Sequence, residues 1–138
     1  GCVVQAHPFR ERDYIRHVRL GLSYCDGIEG ANAANTQHAD AAAYRYAKQY
    51  GLPMTAGSDN HHSTPKVDVN RQIMGLALDK RLENIHDLVH LTKNRAPIGL
   101  HVPAGRWNVA PDAPYIDAFF LNEDEQLTPS GKDWLRDA

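Results

Sequence analysis

The segment "NTQHADAAAYRYAKQYGLPMTAGSD", residues 35–59, is typical of a helix that is followed directly by a strand. Its alanines and tyrosines recur at the spacing of a helix with one buried face. Asn35 or Thr36 can cap the start of this helix, and Gly51 suits its end. The run "LPMTAGSD", residues 52–59, follows at once and is a strand candidate. The segment therefore predicts one helix–strand unit of an α/β sheet.

Further strand-like and helix-like runs alternate on both sides of this unit. We predict strands at 2–8, 26–32, 52–59, 71–79 and 96–103, and further helices at 10–21 and 82–94. This alternation favours parallel βα units in a sheet or barrel.

The prolines become more frequent after residue 102, and the alternation stops there. We therefore expect two parts, a partial barrel of about five mainly parallel strands with flanking helices over 1–102 and an irregular peripheral tail over 103–138. Within the tail we predict a hairpin and a short helix around Trp134.

The composition narrows the class of protein. The 138 residues are 42% apolar, which is enough for one folded core. A net charge of −2 gives no basic surface for nucleic-acid binding, so a nucleic-acid partner is not expected. No apolar run reaches membrane-spanning length, and the first residues lack the pattern of a signal peptide. We expect a cytoplasmic protein whose Cys2 and Cys25 are reduced, buried thiols.

Polar residues able to bind a metal follow three of the predicted strands. His7 ends the first, Glu29 and Asn32 end the second, and Asp59 and His61 end the third. Sites in parallel α/β folds collect at the carboxyl ends of strands. Asp59 and His61 are two residues apart, so an extended chain places them on the same side. A carboxylate combined with imidazoles suits Zn, Mn or Fe.

Each of these motifs also has a plainer interpretation. A histidine before a proline is commonly a turn residue, and an Asp-x-His-His run is commonly a polar loop. Glu29 can equally accept a bond from a neighbouring backbone amide. His86 and His90 are four apart on a predicted helix, but they lie on its solvated flank rather than in a metal pair.

Two stretches taken together resemble a known family. "QAHPFR", residues 5–10, and "DGIEGANAANTQHADAAAYRYAKQYGLPMTAGSDNHH", residues 26–62, are similar to the later half of the polymerase and histidinol phosphatase (PHP) domains. The resemblance implies the C-terminal portion of a distorted (β/α)7 barrel. It also implies a divalent metal cluster of Zn, Mn or Fe at the C-terminal face of that barrel.

The resemblance further implies an activity and roles for residues. His7, Asp59 and His61 match the family's metal ligands. The implied activity is metal-dependent hydrolysis of a phosphate ester of a small metabolite or nucleotide, in which a metal-bound hydroxide attacks phosphorus. We expect Arg10 to contact a phosphate oxygen. Glu29, Asn32 and His62 are expected beside the metal or the substrate, which completes the set of candidate site residues.

The chain also departs from the family pattern. The opening His-x-His and the middle histidine and glutamate ligands of the family have no counterpart in this sequence. We therefore expect a fragment with weak activity or none, which is completed by the N-terminal half of the barrel or by self-association. Two alternatives stay open: a non-catalytic metal-binding or scaffolding remnant, and a metal-free α/β domain whose histidines form only local hydrogen bonds.

Overall fold

The computed structural model describes residues 1–61 and 73–137 of the chain, and the secondary structure within them is mixed α/β. In chain order the elements are β1 (Val4–Gln5), β2 (Val18–Leu20), β3 (Gly27–Asn32), α1 (Gln37–Tyr50), β4 (Met54–Gly57), β5 (Gly75–Ala77), α2 (Ile85–Lys93), β6 (Gly99–His101), β7 (Ala118–Leu121) and β8 (Leu127–Pro129).

The strands form three small sheets. The first has the order β1-β3-β4 and is parallel throughout. The second has the order β2-β7-β8, in which β2 and β7 are parallel and β7 and β8 form an antiparallel hairpin. The third is the antiparallel pair β5-β6. No sheet closes into a barrel within residues 1–61 and 73–137.

The helix α1 and the strand after it are as predicted. The Thr36 side chain, rather than that of Asn35, accepts a hydrogen bond from the backbone N of Ala39 at the start of α1. Gly51 ends the helix in the left-handed conformation, with φ of 58°, which a residue without Cβ adopts at little cost. Among the described residues, neither helix is long and apolar enough to cross a membrane.

The helix predicted at 10–21 is wrong, because its second half is the strand β2. Val18 and Leu20 are buried and Arg19 between them is exposed, which is the alternation of a strand. Tyr14, expected on the buried face of that helix, is 80% exposed. Pairing with β7 determines the structure here, and that partner lies about a hundred residues further along the chain.

Two other expectations differ from the structure. The fourth and fifth predicted strands correspond to β5 and β6, which pair antiparallel instead of joining a parallel sheet. Around Trp134 the chain forms a turn rather than a short helix. Asp133 fixes this turn, because its carbonyl accepts from the backbone N of Arg136 and of Asp137.

The core lies between α1 and the sheets and is rich in aromatic rings. Phe9, Tyr46 and Trp134 are at most 1% exposed. Their ring centroids are 5.3–5.9 Å apart in edge-to-face geometry, an arrangement that adds to the stabilisation from burial alone. Because Trp134 comes from the C-terminal segment, that segment is part of the same core.

The strand β3 contains a bulge that matters for the site. Glu29 pairs with Thr55 and Ala31 pairs with Ala56, so Gly30 is an extra residue without a partner. An extra residue shifts the alternation of side chains along a strand. A Cβ at Gly30 would lie 2.9 Å from Met54 Sδ, so a larger residue here would have to displace the Met54 side chain.

Candidate functional site

The carboxyl ends of β1, β3 and β4 meet at one edge of the parallel sheet, where Glu29 is a central acceptor. Its Oε2 accepts from the backbone N of His7 at 2.9 Å and from Asn32 Nδ2 at 3.1 Å. His7 has a positive φ of 30°, an unusual conformation for a residue with a side chain. Glu29 thus accepts a hydrogen bond from a backbone amide, as its plainer interpretation predicts.

Arg10 connects the turn after β1 to the end of β4. Its Nε donates to Asn35 Oδ1 and its Nη2 to Asp59 Oδ2, both at 2.7 Å. The side chains of Arg10 and Asp59 are only 12% and 17% exposed. The hydrogen bond and the charge of Arg10 lower the pKa of Asp59 below its ordinary value. Asp59 is therefore a carboxylate at neutral pH.

His61 lies beside Asp59 and points largely into solvent. Its Nδ1 is 2.9 Å from the Asp59 carbonyl oxygen and 3.5 Å from Asp59 Oδ1. The His61 side chain is 78% exposed. The predicted Asp-x-His pair is thus adjacent in space, with an accessible imidazole next to a partly buried carboxylate.

A second, deeper set of contacts continues from Asn32, which is 2% exposed. Asp40 Oδ2 accepts from the backbone N of Asn32 at 3.1 Å, and Asp40 Oδ1 accepts from Asn35 Nδ2 at 2.8 Å. Arg106 Nε donates to Asp40 Oδ2 at 2.7 Å. Arg106 Nη2 donates to the carbonyl oxygens of Asn32 and Asn35 at 3.1 and 3.0 Å. We call these four residues the Asp40 network.

The Asp40 network fixes the loop between β3 and α1, and three of its members, Asn35, Asp40 and Arg106, are not among the site residues predicted from the sequence. Burial raises the pKa of Asp40 despite the hydrogen bonds from Asn35 and Arg106. One signal was present in the sequence: Asp40 lies between buried alanines on the apolar side of α1, where a carboxylate needs a partner. Nothing in the sequence identifies Arg106, which is 66 residues away.

The structure brings five of the predicted site residues into one contact network: Arg10, Glu29, Asn32, Asp59 and His61. His7 joins it through its backbone amide. His62 lies outside the described residues.

The predicted ligands have donor atoms that fit a divalent metal, but too few of them are grouped within the described residues to form a complete metal site. Asp59 and His61 present a carboxylate and an imidazole, which are donors that Zn and Mn accept. Across residues 1–61 and 73–137, however, no three His, Cys, Asp or Glu side chains are grouped so as to hold a metal ion. Asp59 Oδ2 is also bonded to Arg10.

Comparison with protein families supports the resemblance in one segment. Residues 37–64 match the family model described as PHP-associated. This confirms the resemblance over a segment that contains α1, β4, Asp59 and His61, and it is consistent with a PHP C-terminal region. Neither curated proteins nor solved structures gave a significant match.

Proposed function

We propose that this chain is part of a cytoplasmic metal-dependent phosphoesterase of the PHP type, which hydrolyses a phosphate ester of a small metabolite or nucleotide. One observation carries the proposal. The parallel sheet presents Glu29 from β3, and Asp59 and His61 from the segment after β4, at one edge. The guanidinium of Arg10, from the turn after β1, is bonded to Asp59 there. Carboxylates and imidazoles beside an arginine are the groups that a metal-assisted reaction at phosphorus needs.

In this proposal, His7, Asp59 and His61 are the metal ligands that this chain contributes. A bound divalent metal supplies a Lewis acid and lowers the pKa of water. Arg10 holds Asp59 ionised and in place, because its guanidinium donates to one carboxylate oxygen at 2.7 Å. Glu29 and Asn32 orient the chain at His7, to which Glu29 is bonded directly.

We further propose that the partial barrel is completed at the free edge of β1. This strand pairs only with β3 among the described residues, and an unpaired strand edge is a template for another strand. Either a further segment with the missing ligands or a second copy of the chain would supply it. Light scattering across a concentration series separates the two, because a second copy doubles the mass whereas a further segment leaves a monomer.

A second candidate function, a non-catalytic scaffolding module, is favoured by the engaged carboxylates. Asp59 Oδ2 is bonded to Arg10, Glu29 Oε2 to two donors, and Asp40 to Arg106. Carboxylates bonded in this way stabilise a loop structure without any metal.

The metal content of the purified chain tests the ligand assignment. We expect the wild-type chain, equilibrated with Mn²⁺ or Zn²⁺ and then desalted, to retain metal measured by elemental analysis. A chain with both His7→Ala and Asp59→Ala is expected to bind it at least tenfold more weakly, since two of its ligands are gone. The matched control carries His86→Ala and Asp112→Ala, which change two exposed residues of the same types elsewhere.

Metal that survives the His7→Ala and Asp59→Ala pair contradicts the ligand assignment.

Binding of inorganic phosphate separates the phosphoesterase from the scaffolding module. A phosphoesterase site predicts that loading with Mn²⁺ strengthens phosphate binding, whereas a scaffolding module predicts no change. With 4-nitrophenyl phosphate and Mn²⁺, we expect the chain alone to show weak turnover or none. Turnover at the rate of a complete enzyme would overturn the interpretation as a fragment.

A further inference from the structure

An open cleft of about 380 Å³ lies between the turn that follows β1 and the segment that leads into β2. Its lining is strongly basic. Arg10, Arg16 and Arg19 line it together with His7 and His17, and none of the lining residues that the structure describes is acidic. A cleft lined by one sign of charge concentrates the field inside it. The cleft is therefore locally cationic in a chain whose net charge is −2.

The cleft is a fixed feature of the fold, because Gln5 connects its two walls. Gln5 Nε2 donates to the carbonyl oxygen of Arg19 at 2.5 Å, and Gln5 Oε1 accepts from the backbone N of Gly21 at 3.0 Å. In β2 the side chains of Val18 and Leu20 are buried, so that of Arg19 is held on the opposite, exposed face. His17 packs edge-to-face against Phe119, with ring centroids 5.0 Å apart.

Two of the three arginines of the cleft, Arg16 and Arg19, differ from Arg10 and Arg106 in their bonding. Arg10 and Arg106 each hold a carboxylate. Arg16 and Arg19 are exposed, and their guanidinium groups have no hydrogen-bond or ion-pair partner within the described residues. Like charges that line one cleft repel each other, and an anion bound in the cleft relieves this repulsion.

We propose that this cleft binds a second phosphate group of the substrate, remote from the ester that is hydrolysed. This inference rests on the proposed function. His7 and Arg10 line the cleft and also belong to the candidate site, so the cleft adjoins that site. The substrate class is thereby narrowed to phosphate esters whose leaving group carries a further phosphate. Arg16 and Arg19 are its specificity-determining residues, since guanidinium groups bind phosphate in a bidentate manner.

Binding of two probes that differ by one phosphate tests the proposal. Calorimetry in the presence of EDTA compares fructose 1,6-bisphosphate with fructose 6-phosphate, so that no metal contributes. We expect the wild-type chain to bind the bisphosphate about tenfold more tightly. The second phosphate adds hydrogen bonds to charged groups, and losing such a bond weakens binding by about this factor. In a chain with Arg16→Gln and Arg19→Gln, both probes are expected to bind with equal affinity. Arg81→Gln, which changes an exposed arginine outside the cleft, is the control and should keep the preference.

Equal affinity of the wild-type chain for the two probes, or no binding of either, would overturn the proposal. A preference that persists in the Arg16→Gln and Arg19→Gln chain would do the same, as would its loss in Arg81→Gln. These outcomes are independent of the proposed function, which fails separately if metal binding does not depend on His7 and Asp59. The thermal unfolding of each variant, followed by circular dichroism, confirms that the fold is unchanged.

Discussion

Two arginine–aspartate pairs in this chain have the same N–O distance but differ in how deeply the carboxylate is buried. Arg106 and Asp40 are 2.7 Å apart with the Asp40 side chain 1% exposed, and Arg10 and Asp59 are also 2.7 Å apart with the Asp59 side chain 17% exposed. The pKa of Asp40 is raised by burial, whereas that of Asp59 is lowered by Arg10. From this difference we expect the first pair to be structural and the second to be able to exchange with a ligand.

The largest effect is expected from breaking the buried pair. Asp40→Asn keeps the shape of the side chain but leaves the charge of Arg106 without its partner. Removing one member of a buried pair costs about 3–5 kcal/mol, so we expect a loss of this size in the free energy of unfolding measured in urea. Asp112→Asn, at an exposed position, is the matched control. A loss below about 1 kcal/mol would show that the Asp40 network does not stabilise the fold.

A smaller loss is expected from the pair at the site. Arg10→Gln removes a charged hydrogen bond to a partly exposed carboxylate, for which about 1–2 kcal/mol is typical. The same urea titration measures it. Metal affinity is expected to change in the same variant, because Asp59 is then no longer held by Arg10. If Arg10→Gln were as destabilising as Asp40→Asn, the contrast between a structural and an exchangeable pair would be lost.

The dependence of stability on pH tests the contribution of the Arg10–Asp59 pair separately. The folded-state pKa of Asp59 lies below its ordinary value of 3.8. The stabilisation by Arg10 is therefore fully present above about pH 4 and is lost as the pH falls through the folded-state pKa. We expect the wild-type chain to lose more stability than Arg10→Gln between pH 5 and about pH 2. Parallel losses in the two chains would contradict this assignment of the shift.

The smallest effect is expected at Tyr46, which is on the same helix as Asp40. Its hydroxyl is buried and has no hydrogen-bond partner among the described residues. Tyr46→Phe removes an unsatisfied polar group and keeps the ring, so we expect a gain of about 1 kcal/mol in the free energy of unfolding. Tyr44→Phe, whose ring stacks on Trp107 at a centroid distance of 4.6 Å, is the control. A loss of stability in Tyr46→Phe would reveal a partner for its hydroxyl.

The parts of the fold that the sequence predicts are those with local signals. The cap Thr36, the periodic face of α1 and Gly51 lie within one continuous segment. The strand β2 was missed because its partner β7 is distant in sequence, and three residues are too few for alternation to outweigh a partial helical pattern. The antiparallel pairing of β5 with β6 also joins strands that are distant in sequence, so local patterns do not predict it.

The site shows the same division. Glu29, Asn32 and Asp59 were predicted because they belong to strand-like segments of the sequence; Glu29 and Asn32 lie within β3, and Asp59 follows β4. Their actual partners were not, since Arg106 approaches from another part of the chain and the contact of Arg10 with Asp59 spans 49 positions. Strand ends can be read from local sequence, but the hydrogen bonds between them depend on the packing of the whole chain.

Because of the bulge at Gly30, the face of β3 on which the Asn32 side chain lies depends on the number of residues in the strand. Glu29 and Asn32 are three residues apart, an odd spacing that would send them to opposite faces of a regular strand. The extra residue brings them to one side, where Asn32 Nδ2 reaches Glu29 Oε2. A single-residue deletion here would therefore separate two residues that it leaves chemically intact. Relatives of this chain should tolerate substitutions in β3 more readily than changes in its length.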